Sequence, residues 1–361
     1  MRISSSFTTH TMRHIIIATD SWKGSLTSLQ AGEAMAAAIH QLHPDIRITT
    51  LPISDGGEGF THAMTHALGG RLIPITAHDP LLRPIATHYG LLTDGTAIID
   101  VASIIGLTLL SPDERNPLVA SSRGVGEAMA QIIGHGTRRL IIGLGGSATN
   151  DCGRGMLEAL AGTPGLDRCH ITIATDVDSP LCGPTGATQM FALQKGATPQ
   201  MLPVLERRNE EYGQYLEQLV GRAIIDQPGA GAAGGIGAAL MSLPHCERTS
   251  GIDLLLRLSH FDHLLHDATL VITGEGHIDR QTLQGKAPYR IALHAQAHHV
   301  PCIAICGQAD PDLIAAPSPW QAVIPVAPPH ADPTTMMHPD IARRNIELAI
   351  KGDSILTSVF R

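Results

Sequence analysis

The chain is poor in aromatic residues and in charge. Phe, Tyr and Trp make up 3% of its 361 residues and Asp, Glu, Lys and Arg 16%, against 43% hydrophobic residues. So apolar a composition excludes the disordered class and implies a compact fold, with a length prior of about two domains. A basic surplus is also missing. With a formal net charge of -8, the chain has nothing with which to neutralise a phosphate backbone, which excludes nucleic acid as partner. No apolar run reaches the length that spans a bilayer, so no membrane partner is expected. Residues Met1 to His14 are rich in Ser and Thr and lack the apolar segment of a secretion signal. Residues 1–13 are therefore expected to be a loose extension, and the cytoplasm is the expected location.

Six cysteines are scattered with no Cys-x-x-Cys pair, so no disulfide framework is expected, and Cys302 and Cys306 read as core residues on one face of a strand. The 20 histidines include His294 with His298 and the series His260, His263, His266. None brings the third ligand and supporting shell of a transition-metal site, so they read as solvated surface. There is no Gly-x4-Gly-Lys-[Ser/Thr] P-loop and no protein-kinase catalytic loop.

What is present is a repeated junction. Ile15-Ile16-Ile17 runs into Asp20-Ser21-Trp22-Lys23-Gly24-Ser25, Leu140-Ile141-Ile142 into Gly143 to Asp151, and Leu270-Val271-Ile272 into Thr273 to Asp279. A helical pattern follows each. Short buried strands ending in Gly, Ser, Thr, Asp and Lys before helices describe an open α/β sheet, which binds ligands at the carboxyl ends of its strands. Thr27 and Gln30 form a capping box before an apolar face of Ala31, Ala34, Met35, Ala38 and Leu42. From about Leu72 to Leu110 apolar and polar residues alternate around Thr93-Asp94-Gly95-Thr96, a hairpin signal.

These patterns predict two α/β domains. The core domain is a mostly parallel, flavodoxin- or Rossmann-like sheet of discontinuous sequence, residues 14–71, 118–169 and 256–361. The second, inserted domain has a mixed sheet, residues 72–117 and 170–255, and the cleft between the two is the expected site.

Several loops carry chemistry. Asp20 to Ser25 sets a carboxylate, a cation and two hydroxyls, Ser21 and Ser25, before a helix N-terminus, a placement that suits an anion. Trp22, in so aromatic-poor a chain, marks that loop as structured. Gly145, Gly146, Ser147 and Thr149 are read as a phosphate cradle. Gly143 to Ala148 also matches a loose dinucleotide fingerprint, and so does Gly229 to Gly237, where small residues could equally serve close helix packing. Asp176 and Asp178 end a strand with period-two spacing and suit Mg²⁺. The stretch from Gly274 to Lys286, with Glu275, His277, Asp279 and Arg280, is dense in groups for phosphates and hydroxyls.

Taken together and in order, Asp20 to Ser25, Asp55 to Gly59, Gly143 to Asp151, Thr175 to Pro184, Gln194 to Ala197, Gly229 to Gly237 and Val271 to Pro288 resemble the bacterial type I glycerate kinases. The likeness runs from about His14 to Ile305. It implies ATP-dependent, Mg²⁺-dependent phosphorylation of D-glycerate on two α/β domains, in much of the family to 2-phosphoglycerate, with 3-phosphoglycerate the other product. A homodimer is compatible with this. His277 stands where family members usually carry Arg, Trp22 where they carry Phe or Tyr, and the link from Leu160 to Ile171 is shorter than usual. Lys23 or Lys286 is the expected neutraliser of the transferring phosphoryl group, and Asp279 or Asp20 the acceptor of the substrate proton. Asp176 or Asp178 would hold Mg²⁺. Asp55, Asn150, Lys195, Glu275 and Arg280 join the binding set, with Arg280 on the glycerate carboxylate. The competing readings are a glycerate- or nucleotide-binding homologue that has lost turnover and an NAD(P)-dependent oxidoreductase.

Overall fold

The computed structural model describes residues 13–315, 318–328 and 331–352. Apart from Arg13, the expected N-terminal extension lies outside them. Strands run in the order β1 (His14–Thr19), β2 (Arg47–Thr50), β3 (Arg71–His78), β4 (Pro84–Leu91), β5 (Thr96–Asp100), β6 (Arg139–Gly143), β7 (His170–Ala174), β8 (Cys246–Thr249), β9 (Leu270–Gly274), β10 (His277–Ile278), β11 (Cys302–Cys306), β12 (Gln308–Ala309) and β13 (Ala322–Pro325). They divide between two compact units, residues 1–53 with 260–361, and residues 54–259.

The first unit carries a sheet of order β13-β11-β9-β1-β2, parallel throughout. Counted along the unit, that is the flavodoxin order 2-1-3-4-5, whose switch point falls between the first and third strands. Here those strands are β1 and β9, paired from Ile15 with Leu270 to Thr19 with Gly274. The helix Ser28–Leu42 begins at the Thr27–Gln30 capping box and buries Ala31, Met35, Ala38 and Ile39. On the C-terminal helix Pro339–Gly352, Ala342, Ile346 and Ile350 are buried at four-residue spacing. Both faces close over Ile15, Ile17, Leu270, Ile272, Ile303 and Ile305.

The second unit carries a mixed sheet of order β3-β4-β5-β6-β7-β8, antiparallel from β3 to β5 and parallel from β5 to β8. The hairpin expected at Asp94-Gly95 joins β4 to β5, with Gly95 in the left-handed conformation. Two sequence-based boundaries move. The stretch 118–169, expected in the discontinuous core, supplies β6 to this mixed sheet, and residues 54–71 belong to the same unit. The physical reason is register: β6 pairs on one side with β5 and on the other with β7, and an apolar run such as Leu140–Ile142 satisfies either sheet equally well.

All six cysteines are free thiols. Cys302 and Cys306 are buried, and burial pushes both thiols well above their usual range. Among the described residues no helix is long and apolar enough to cross a membrane.

Candidate active site

In the first unit, the loops that follow β1, β9, β11 and β13 and the two C-terminal helices enclose a cavity of ≈360 Å³. Its position is the one the strand order dictates, at the carboxyl ends of the strands and across the β1/β9 switch point. The loop after β1 folds back on itself: Trp22 N–H donates to the Leu26 carbonyl at 2.8 Å and Ser25 N–H to the Trp22 carbonyl at 2.7 Å. Gly24 makes the turn with φ +76°, and a Cβ there would lie 2.5 Å from Met337 Cε. This turn sets Ser21, Trp22, Lys23 and Ser25 in the cavity wall. Lys23 is exposed.

The loop after β9 supplies Glu275, Gly276, His277, Asp279 and Lys286 to the same wall. Thr282, a member of the Gly274–Lys286 stretch to which the sequence pattern gives no role of its own, organises it. Its hydroxyl donates to Glu275 Oε1 at 2.6 Å, and its backbone N–H donates to Asp279 Oδ1 at 3.0 Å, where Gln281 N–H also donates at 2.8 Å. Lys286 Nζ lies 3.5 Å from Asp279 Oδ1 and 3.8 Å from Glu275 Oε2. Partial burial pushes the Asp279 carboxyl up, but the N–H donors and the Lys286 charge outweigh it and hold the group below its usual value. Asp279 is thus a carboxylate kept ionised beside a cation. His277 Nε2 lies 3.2 Å from Asp310 Oδ1 with both side chains largely exposed. On the far side, Val326, Ala327, Met336, Met337, Ala342 and Asn345 close the cavity. Among the described residues, the buried Trp22 Nε1 and Ser25 Oγ have no hydrogen-bond partner.

Two expected residues do not line this cavity. Asp20 lies next to it, with Oδ1 accepting from Ser21 N–H at 2.6 Å. Arg280 points to Asp312 at 3.3 Å, both highly exposed.

The remaining expected residues belong to the second unit, at the carboxyl ends of β6, β7 and β8. Gly145 N–H donates to the Gly56 carbonyl at 2.8 Å, and a Cβ on Gly145 would fall 2.4 Å from Gly57 Cα. That loop is glycine-rich because two backbones meet there. Ser147, Thr149 and Asn150 are buried, so their side chains do not form the open phosphate cradle the pattern suggested. Lys195 is buried too, at 4% exposure, and donates to Ser147 Oγ at 3.1 Å and to the Thr149 carbonyl at 2.8 Å. Burial pulls its ammonium down to about 7, with the Asp151 charge opposing. Gly229 to Gly237 likewise resolves as close packing: Gly234, at φ +69°, would set a Cβ 2.0 Å from the Thr149 carbonyl oxygen. Neither dinucleotide fingerprint is therefore an open nucleotide loop.

Asp176 lies at the surface in an acidic neighbourhood. Crowding by protein, then the charges of Asp55 and Asp253, push its carboxyl up to about 6, against donation from the Ser250 hydroxyl and the Gly251 N–H. Asp178, expected beside it as a ligand, is held instead by Arg248, whose two terminal nitrogens reach Oδ1 at 2.8 and 2.6 Å. Among the described residues no group of three or more His, Cys, Asp or Glu is placed to hold a metal ion. Such a donor set fits Mg²⁺ only in its ordinary role with phosphates, where it keeps waters and takes one or two carboxylates. Asp176 with Asp55 fits that role; Asp178 does not.

The family model "Glycerate kinase family" matches residues 15–164 and 161–351 of the chain. The match carries the resemblance beyond Ile305 and through the C-terminal helix. A glycerate kinase of Bacillus subtilis is 40% identical over 327 residues, 82% of this chain and 86% of that one. A glycerate 2-kinase of Escherichia coli is 37% identical over 328 residues, 83% of this chain and 86% of that one. A solved structure from Salmonella typhimurium LT2 described as glycerate kinase 2 superposes with a TM-score of 0.81 at 33% identity, covering 96% of this chain and 99% of that one.

Proposed function

The chain belongs to the glycerate kinase family and is an enzyme of that kind, and from that premise we propose that it transfers the terminal phosphoryl group of ATP to the 2-hydroxyl of D-glycerate. The observation that carries the reading is the cavity at the β1/β9 switch point, where two lysines and an ionised carboxylate share one wall. In the reaction the substrate hydroxyl oxygen bonds to the terminal phosphorus, and the bond from that phosphorus to the bridging oxygen breaks. ADP carries away the electron pair, and the hydroxyl proton is lost. Such transfer needs positioning and charge neutralisation more than covalent chemistry from the protein.

Lys286 and Lys23 neutralise the phosphoryl oxygens. Asp279 accepts the proton. It takes this role over Asp20 because it lines the cavity, whereas Asp20 does not. Glu275 and Thr282 keep Lys286 and Asp279 in place. Asp176 and Asp55 are the carboxylates that would hold Mg²⁺, an ion that would supply charge neutralisation when bound. Alanine at Asp176 raises the Mg²⁺ concentration needed for half-maximal rate.

The decisive experiment is ADP release from Mg-ATP and D-glycerate by the purified protein, with the phosphate position on the product read by NMR. Turnover with phosphate on carbon 2 is expected. Phosphate on carbon 3 overturns the choice of hydroxyl alone. Absence of turnover in folded protein overturns the kinase reading in favour of a binding protein.

A further inference from the structure

The cavity is larger than glycerate requires and of mixed character. At about 30 Å³ per water it would take roughly a dozen waters, and its volume falls in the range of pockets for larger organic ligands. Its cationic residues come from the loops after β1 and β9, whereas Val326 and Ala327 follow β13. The sheet order sets β13 two strands from β9 and three from β1, roughly 10–14 Å at about 4.8 Å per strand. A three-carbon acid does not bridge that distance. A nucleotide does, from its ring through the ribose to the terminal phosphate.

The far wall is suited to a flat heteroaromatic ring. Val326, Ala327, Met336 and Ala342 give it apolar surface, and the Met336 thioether is a soft, polarisable contact for an aromatic system. Asn345 stands among them, its Nδ2 3.4 Å from Met336 Sδ. Sulfur is a weak acceptor, so the amide retains a donor and an acceptor for a stronger partner. A carboxamide matches the adjacent donor and acceptor on the edge of adenine, and Asn pairs with adenine in this way elsewhere. The helix Pro339–Gly352 fixes the amide, since Ala342, Ile346 and Ile350 lock its inner face into the core.

We propose that the wall formed by Val326, Ala327, Met336 and Ala342 seats the purine ring of the nucleotide, with the Asn345 amide reading its edge and the phosphates running back toward Lys286 and Lys23. This assignment rests on the kinase reading for the nucleotide's role, but its test does not. Calorimetric titration with ADP, and with tripolyphosphate as a ligand that has phosphates and no base, separates the two. Ala327→Gln adds neutral bulk to the wall from a half-buried loop position, and Asn345→Leu removes the amide. Each is expected to weaken ADP about tenfold and to leave tripolyphosphate within twofold, while Ala327→Ser keeps both affinities. Melting curves with a wild-type midpoint confirm that a variant is folded. ADP affinity unchanged in both variants overturns the base site even if the enzyme makes phosphoglycerate. A selective loss of ADP affinity in a protein that makes none upholds the base site and overturns the kinase reading.

Discussion

After β6 the chain runs from Gly143 to Asp151, and after β9 it runs from Gly274 to Lys286. Both stretches are rich in glycine, hydroxyls and carboxylates, and each is served by a lysine. In the second case Lys286 is 38% exposed, lines the cavity and is approached by two carboxylates. In the first, Lys195 reaches in from a separate segment at 4% exposure and spends its donors on the Ser147 hydroxyl and the Thr149 carbonyl. One lysine is available to a ligand and the other braces a loop. Composition does not separate these uses; burial does, because a cation already surrounded by protein acceptors has little left to offer a phosphate.

The comparison breaks most visibly at Lys286. Lys286→Met removes a partly exposed cation aimed into the cavity, so kcat is expected to fall about 100- to 1,000-fold, the usual loss of one electrostatic stabiliser. The melting temperature should barely move, since exposed ion pairs contribute little. A variant with near-wild-type kcat would remove Lys286 from the phosphoryl path.

In the second unit the expected damage is to stability. Gly234→Ala forces a methyl against the Thr149 carbonyl at a left-handed position, and overpacking plus backbone strain should cost about 2–4 kcal/mol. Urea denaturation reads it directly. A loss under about 1 kcal/mol would mean that the glycine-rich turn is looser than its contacts imply.

Lys195→Met sharpens the contrast with Lys286. Losing the brace leaves the Thr149 carbonyl without this donor, at a cost of about 1–3 kcal/mol. The cost should also depend on pH. The buried ammonium sits at about 7, and the unfolded one near its ordinary value of about 10.4. Between the two the unfolded chain holds a proton that the folded chain has shed, so wild-type stability rises with pH across that window. Below pH 7 both states are protonated and the full burial penalty applies. Urea midpoints from pH 6 to 9.5 should therefore show wild type gaining on Lys195→Met as pH rises. A constant gap would show that Lys195 titrates like a surface lysine.

These cases also mark how far the sequence could be read. The junctions at Asp20, Gly143 and Gly274, the capping box at Thr27 and the hairpin at Asp94-Gly95 are local, and each is where its pattern put it. What stayed hidden was set by distant partners. Leu140–Ile142 reads as a buried strand in either sheet, and only its pairing with β5 and β7 assigns it to the second unit. Asp178 looked like a twin of Asp176 until Arg248, far away in sequence, took it. Ala342 and Asn345, part of the cavity's far wall, come from a helix whose inner face is ordinary core packing. Asn345 is one polar residue beside that face, with no motif around it to flag a role.

The smallest effect is expected at His277, the position where the family pattern carries Arg. Its imidazole faces Asp310 at 3.2 Å with both groups largely exposed, and it lines the cavity beside Lys23 and Lys286. His277→Arg restores a permanent cation, but exposed charge pairs are worth about 0–1 kcal/mol, and two lysines already supply positive charge to that wall. The expected result is kcat within twofold of wild type at pH 8 and a stability change under about 0.5 kcal/mol. A tenfold gain in kcat/KM for glycerate would overturn that expectation. It would mean that a guanidinium there binds substrate carboxylate in the two-pronged way that imidazole cannot, and that this chain works with a weakened substrate grip.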